Sequence, residues 1–236
     1  VEQDYERRLV LAFQAHGFDA RTARMQQLTS EGLRGTLSLA AGRARLDPGS
    51  WDPLSVAGGE LVVVLPLSTP ETVVCDRFVH ELHAATREHN RLTTADGRLR
   101  LRLAIHFGMS AGCAAHGFTG PGPVMARDLA NCAAARALLD RTSAALVVIM
   151  SSAVVEDTIA GQLTSLEQQD LHEVDAGSRR RAWLWVPGGA ADVPEPPAEP
   201  ASDTALPSQG PFAHATITAG FVAGRDITVE HRGANP

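Results

Sequence analysis

Residues 8–18 read RLVLAFQAHGF, an apolar, β-capable run through Ala15 that Gly17 brings to an end. Such a run needs a partner strand. Residues 99–107, LRLRLAIHF, supply one, alternating basic and apolar side chains as a half-buried strand does. Between the two, Met25, Leu28, Leu33, Leu37 and Ala41 recur at helical intervals over residues 20–44, although Gly32 and Gly35 weaken the pattern. Residues 51–57 and 60–67 predict two strands joined at Gly58-Gly59 as a hairpin. Thr69 then stands as a helix cap with Pro70 in the first helical position, and Val74, Phe78, Leu82 and Ala85 line one face.

Further along, residues 115–123 read as a glycine- and proline-rich loop, and residues 124–140 as one helix with Met125, Leu129, Ala133 and Ala137 in register. Residues 146–150 (LVVIM) predict a buried strand, with Ser151 or Ser152 capping a short helix, and residues 172–174 and 181–186 a closing strand pair. This order predicts an α+β fold: a split βαβ sheet, mainly antiparallel, extended at its end and carrying helices on one face. After Pro187 the composition shifts. The reading is one domain over residues 1–188, a flexible Pro/Ala-rich linker over 189–211, and a β-prone tail over 212–236 with Gly220 and Gly224 as its turning points. A lone hairpin is marginal in water. Residues 212–232 are therefore expected to meet a protein partner by adding strands to an open sheet edge.

Composition removes several chemistries. Net charge is −6, and all 21 Lys and Arg residues are arginine. Without lysine there is no P-loop lysine, Schiff-base lysine or lysine general base. The acidic balance argues against nucleic-acid binding, because no basic excess displaces phosphate counterions. Cys75, Cys113 and Cys132 match no zinc or redox spacing and read as free thiols. No apolar run reaches the ~20 residues that span a bilayer, so no membrane partner and a cytoplasmic location are expected.

Several strings, in shared order, resemble the class III adenylate/guanylate cyclase catalytic domain, in a degenerate version of the kind common in actinobacteria. They are RLVLAFQAHGF (8–18), GGELVVVLP (58–66), REHNRL (87–92), LRLRLAIHFG (99–108), HGFTGPGPVMARDLANCAAARALL (116–139), LVVIMSSAVVE (146–156) and AWLWVPG (182–188). The resemblance implies a ferredoxin-like sheet, a homodimer or heterodimer through the cyclase-type interface, and a nucleotide ligand. It also implies two metal ions held by two aspartates, with an asparagine and an arginine acting on the ribose and the transition state. Those positions fall on Gln14 and Gly59 for the metal ligands, and on Val124 and Asp128 for the asparagine and arginine. The base-selecting pair falls on Ser55 and Gly117. None carries the family's residue. Asp128 would repel the polyphosphate that an arginine should stabilise.

Asp19, Glu60 and Arg127 stand nearby as possible substitutes. Glu60, one residue beyond the ligand position, is expected to face the other side of its strand. The expectation is therefore a non-cyclising regulatory, nucleotide-sensing or scaffolding module in bacterial signalling or defence, with no metal cofactor. The alternative is a divergent cyclase using Mg²⁺ or Mn²⁺ with a partner subunit.

Other residues suggest weaker sites. His106, His116 and Cys113 could share a cleft, and His80 and His83, with Glu81 between them, could ligate a metal. Packed or solvated histidines are the ordinary alternative in both cases. Arg98, Arg100 and Arg102 read as an exposed strand face, or as a contact for an anion or an acidic partner. Arg179, Arg180 and Arg181 read as turn charge, and Trp183 and Trp185 as packing on one strand face.

Overall fold

A computed structural model of the chain describes residues 4–113, 117–177 and 180–189, with the side chains of 52–57 and of Cys113 outside the description. Apart from Gly189, the linker and tail read from the sequence lie outside the described residues. The described ones fall in one compact unit, Val1–Pro196.

Strands β1 (Tyr5–Ala15), β2 (Asp52–Ala57), β3 (Glu60–Val64), β4 (Leu101–Cys113), β6 (Leu146–Ser151), β7 (His172–Asp175) and β8 (Arg181–Trp185) form one sheet in the order β2-β3-β1-β4-β6-β8-β7, with β5 (Gly117–Thr119) paired to β4. Only the β4–β6 pair is parallel among the described pairings. The helices are α1 (Ala23–Ala44), α2 (Glu71–Val73), α3 (Val79–Arg91), α4 (Pro121–Ala130), α5 (Ala133–Arg141) and α6 (Ser152–Val154).

The alternation along β1 divides two cores. Leu9, Leu11 and Phe13 face α1 and α3, joined by Leu33, Leu37, Phe78 and Leu82. Phe78 meets the Phe13 and Trp51 rings edge-on at 6.4 and 5.6 Å. Val10 and Ala12 face the other way, where Ala126, Leu129, Leu138 and Leu139 of α4 and α5 cover them. The expected helical layer is thus present on one face, and a second, shorter layer covers the opposite one.

Several local expectations change. Pro70, not Thr69, is the cap of α2, and the helix passes through a wide turn at Val74–Phe78 before α3. Val74, Phe78, Leu82 and Ala85 are nonetheless fully buried along one face. The loop expected over 115–123 contains β5 and the start of α4. The helix expected over 124–140 breaks at Asn131-Cys132 into α4 and α5. Ser151 occupies the cap of α6, but its hydroxyl makes no capping bond. Trp183 and Trp185 pack on one core as expected.

The largest correction concerns β4. Arg102 is 4% exposed. Its Nε donates to the carbonyl of Ala130 at 2.7 Å and its Nη2 to Asn131 Oδ1 at 3.4 Å, at the C-terminal end of α4. Arg100 donates to the carbonyls of Leu139, Thr142 and Ala144 at the end of α5. Both arginines stop helices whose last carbonyls lack intrahelical partners and carry the negative end of the dipole. Arg102 belongs to the interior of the second layer, and Arg100 is half-buried.

Asn90 ties α3 to the chain entering β4, exchanging two bonds of 2.7 Å with the backbone of Leu99. Gly108 and Gly122 let α4 begin against β4, since a Cβ at Gly108 would lie 2.4 Å from the Gly122 Cα.

Replacing Arg102 by Met keeps the aliphatic volume and orphans the Ala130 carbonyl. Urea denaturation is expected to show a loss of about 2–3 kcal/mol, the range for hydrogen bonds to charged groups.

Candidate functional site

Where β1 ends and β3 begins, the second face of the sheet becomes polar. The turn between β2 and β3 has two residues, Gly58 and Gly59, with φ of 62° and 71°. It pairs Ala57 with Glu60, the geometry of a tight hairpin. β3 then sets Glu60 directly opposite Gln14, and β4 sets Arg102 opposite Gln14 on the other side. Directly opposed residues of antiparallel strands share a face. Gln14, Glu60 and Arg102 therefore lie together beneath α4, and Glu60 does not turn away as its offset from Gly59 suggests.

Each polar group here is engaged. The Gln14 amide nitrogen donates to the Gly58 carbonyl at 3.2 Å. Arg127 Nε donates to Glu60 Oε1 at 2.7 Å, with the arginine side chain 45% and the glutamate 15% exposed. Gly59 leaves no room for a side chain, because a Cβ there would lie 2.5 Å from the Phe18 ring. Of the three possible substitutes, two have thus paired with each other. Asp19 sits apart and exposed on the turn Phe18–Ala20.

The remaining positions are dispersed. Val124 is exposed on α4, and Asp128 faces Arg180 at 3.7 Å. Ser55 lies in β2 opposite Val62, and Gly117 opens β5 opposite Cys113.

The sequence reading missed a relay beside this cleft. His16 Nδ1 lies 3.2 Å from Arg102 Nη1, and His16 Nε2 lies 3.0 Å from Asp140 Oδ1. A guanidinium only donates, so Nδ1 accepts and Nε2 carries the proton toward Asp140. Burial holds the His16 pKa below its ordinary value; Asp140 opposes that, and Arg100 and Arg102 add to it. The three residues come from distant parts of the chain, and no local pattern marks them.

The weaker clusters do not assemble as metal sites among the described residues. His80 packs edge-on against Trp185 at 5.2 Å and approaches Asp76 at 3.5 Å. His83 touches Gly188. His116 and the Cys113 side chain are outside the description. His106 Nδ1 is buried with no partner among the described residues, and burial, helped by Arg7 and Arg180, pushes its pKa down to about 4. Burial pushes the Cys75 thiol up to about 12, which leaves it unreactive.

Solved structures share this fold. The guanylyl cyclase Cya2 superposes with a TM-score of 0.56 at 14% identity, over 83% of this chain and 97% of that one. The fold is that of a nucleotide cyclase domain. An adenylate/guanylate cyclase/hydrolase from Silicibacter pomeroyi gives 0.52 at 18% identity, over 79% and 99% of the two chains. The adenylyl cyclase CyaB from P. aeruginosa gives 0.51 at 11% identity, over 82% and 98%. No family model matches the chain, and no curated protein matches it at the sequence level. No described helix is long and apolar enough to cross a membrane.

Two outcomes follow for the cyclase-type cleft and its neighbourhood. Gly59→Asp would combine a left-handed backbone with a clash against Phe18. Its unfolding midpoint in urea is expected to fall by the equivalent of about 1–3 kcal/mol. For His106, the folded pKa lies below the ordinary 6.5, so the unfolded chain binds the proton first. Stability contributed by neutral His106 is therefore complete above pH 6.5 and is lost as pH falls toward about 4. Stability measured across that window should decline less steeply in His106→Gln than in the natural chain.

Proposed function

We propose that this chain is a non-cyclising module on the cyclase fold, acting in bacterial signalling or defence by binding a nucleotide or a partner without turnover. The observation that carries the reading is the Arg127–Glu60 ion pair at 2.7 Å beside Gln14. Cyclisation on this fold needs negative charge to hold two divalent ions, which activate the attacking hydroxyl and neutralise the triphosphate. Here one ligand position is a neutral amide turned onto the Gly58 carbonyl, and the other is a glycine pressed by Phe18. The carboxylate beside them is neutralised by a guanidinium, which repels an incoming cation.

Association through the cyclase-type surface, as a homodimer or with a second cyclase-like subunit, is part of this proposal. Structures of one cyclase of this fold are described both as monomeric and as a non-canonical dimer.

One observation favours a working enzyme. Glu60 lies directly opposite Gln14, so a carboxylate is present on the correct face. On that reading a partner subunit would draw Arg127 away, and Glu60 would hold Mg²⁺ or Mn²⁺.

Incubating the purified chain with each nucleoside triphosphate and Mn²⁺ separates the two readings. No 3′,5′-cyclic product is expected from the natural chain or from Arg127→Ala, in which Glu60 is released. Cyclic product that appears or rises in Arg127→Ala would establish the divergent cyclase instead.

A further inference from the structure

A second region of the molecule concentrates charge that the fold does not use. Two adjoining hollows, of about 570 and 640 Å³, lie at the C-terminal end of α3, and both are lined by Arg87, Ser143 and Ala145. The first also receives His83 and Arg141, and the second Arg91, Arg98 and Arg100. Among the described residues no aspartate or glutamate lines either hollow. Two neighbouring acids are engaged elsewhere: Glu88 pairs with Arg43 at 2.9 Å, and Asp140 with His16 at 3.0 Å.

His83, Arg87 and Arg91 are spaced four residues apart on α3, which stacks them on one face at about 6 Å intervals. Arg87, Arg91 and Arg98 make no side-chain hydrogen bond or ion pair with any described residue. Arg100 is different, because its nitrogens hold the end of α5 and fix its charge in the wall. A chain with net charge −6 thus gathers five of its arginines around one concavity. Mutual repulsion among them works against the folded state, opposed by the C-terminal ends of α3 and α5 and by Asp140 near Arg100.

We propose that this groove is a binding site for a small, multiply phosphorylated anion. Hollows of this size suit small ligands rather than a protein surface. Guanidinium forks match phosphate oxygens in bidentate geometry, and Arg rather than Lys is the residue for such contacts. Two forks on one helix face, with Arg98 across the second hollow, favour a ligand with more than one phosphate group over a single carboxylate. The hydroxyls of Thr142 and Ser143 and the apolar Val186 and Pro187 line the first hollow, where the rest of such a molecule would rest. The site is separate from the cleft at Gln14 and Glu60 and does not depend on whether that cleft turns over.

Calorimetric titration of the full chain with inorganic tripolyphosphate at low salt tests the assignment. Binding is expected, with affinity falling as salt rises. Arg87→Ala/Arg91→Ala should weaken it at least tenfold, and Arg87→Lys/Arg91→Lys should recover only part of the loss. Arg24→Ala, an exposed charge removed elsewhere, should bind as the natural chain does. Circular dichroism keeps a misfolded variant from being scored as a loss. Absence of tripolyphosphate binding to the natural chain overturns the proposal. So does undiminished affinity in a folded Arg87→Ala/Arg91→Ala protein, or an equal loss in Arg24→Ala.

Discussion

A buried guanidinium with no carboxylate of its own anchors the second half of this molecule. Arg102 lies in the central strand β4, where taking a cation out of water is costly unless hydrogen bonds surround it. Its partners are the last carbonyl of α4, the Asn131 side chain and the neutral nitrogen of His16, which passes the interaction on to Asp140. The negative end of the α4 dipole adds to this compensation. Because Arg102 fixes Ala130, it fixes α4 one turn earlier as well, and that turn carries Arg127 onto Glu60. The Arg127–Glu60 pair is thus tied to how the helix is terminated.

The fold does not depend on the polar residues of this cleft, for a physical reason. Its stability comes from apolar burial on both faces of the sheet, through Phe13, Phe78 and Leu82 on one side and Val10, Leu129 and Leu138 on the other. Gln14 and Gly59 lie at the strand ends, outside both cores. A glutamine and a glycine can stand there without disturbing the packing. The glycine has become structural in turn, since its left-handed backbone and its contact with Phe18 both exclude a side chain.

Arginine serves two ends in this lysine-free chain. At 100 and 102 it is consumed by helix carbonyls. At 87, 91 and 98 it stands unpaired among the described residues around an open concavity. Composition treats these residues alike, and a net charge of −6 hides the local excess entirely. The distinction rests on whether a helix end lies within reach of the guanidinium.

The element order was legible in the amino-acid sequence because each segment carries its own signal. Apolar runs stop at Gly17 and at Gly58-Gly59, and Val74, Phe78, Leu82 and Ala85 repeat at the helical period that buries them. Three features were settled only by the folded chain. The basic alternation of β4 reads as a solvated face until α4 and α5 cover it. The break at Asn131-Cys132 has no proline or glycine to announce it. Glu60 and Arg127 are separated by 67 positions. Local periodicity reports which side of an element is apolar, but a hydrogen bond between distant segments depends on the register and packing that bring them together. Whether Glu60 is paired therefore belongs to tertiary structure.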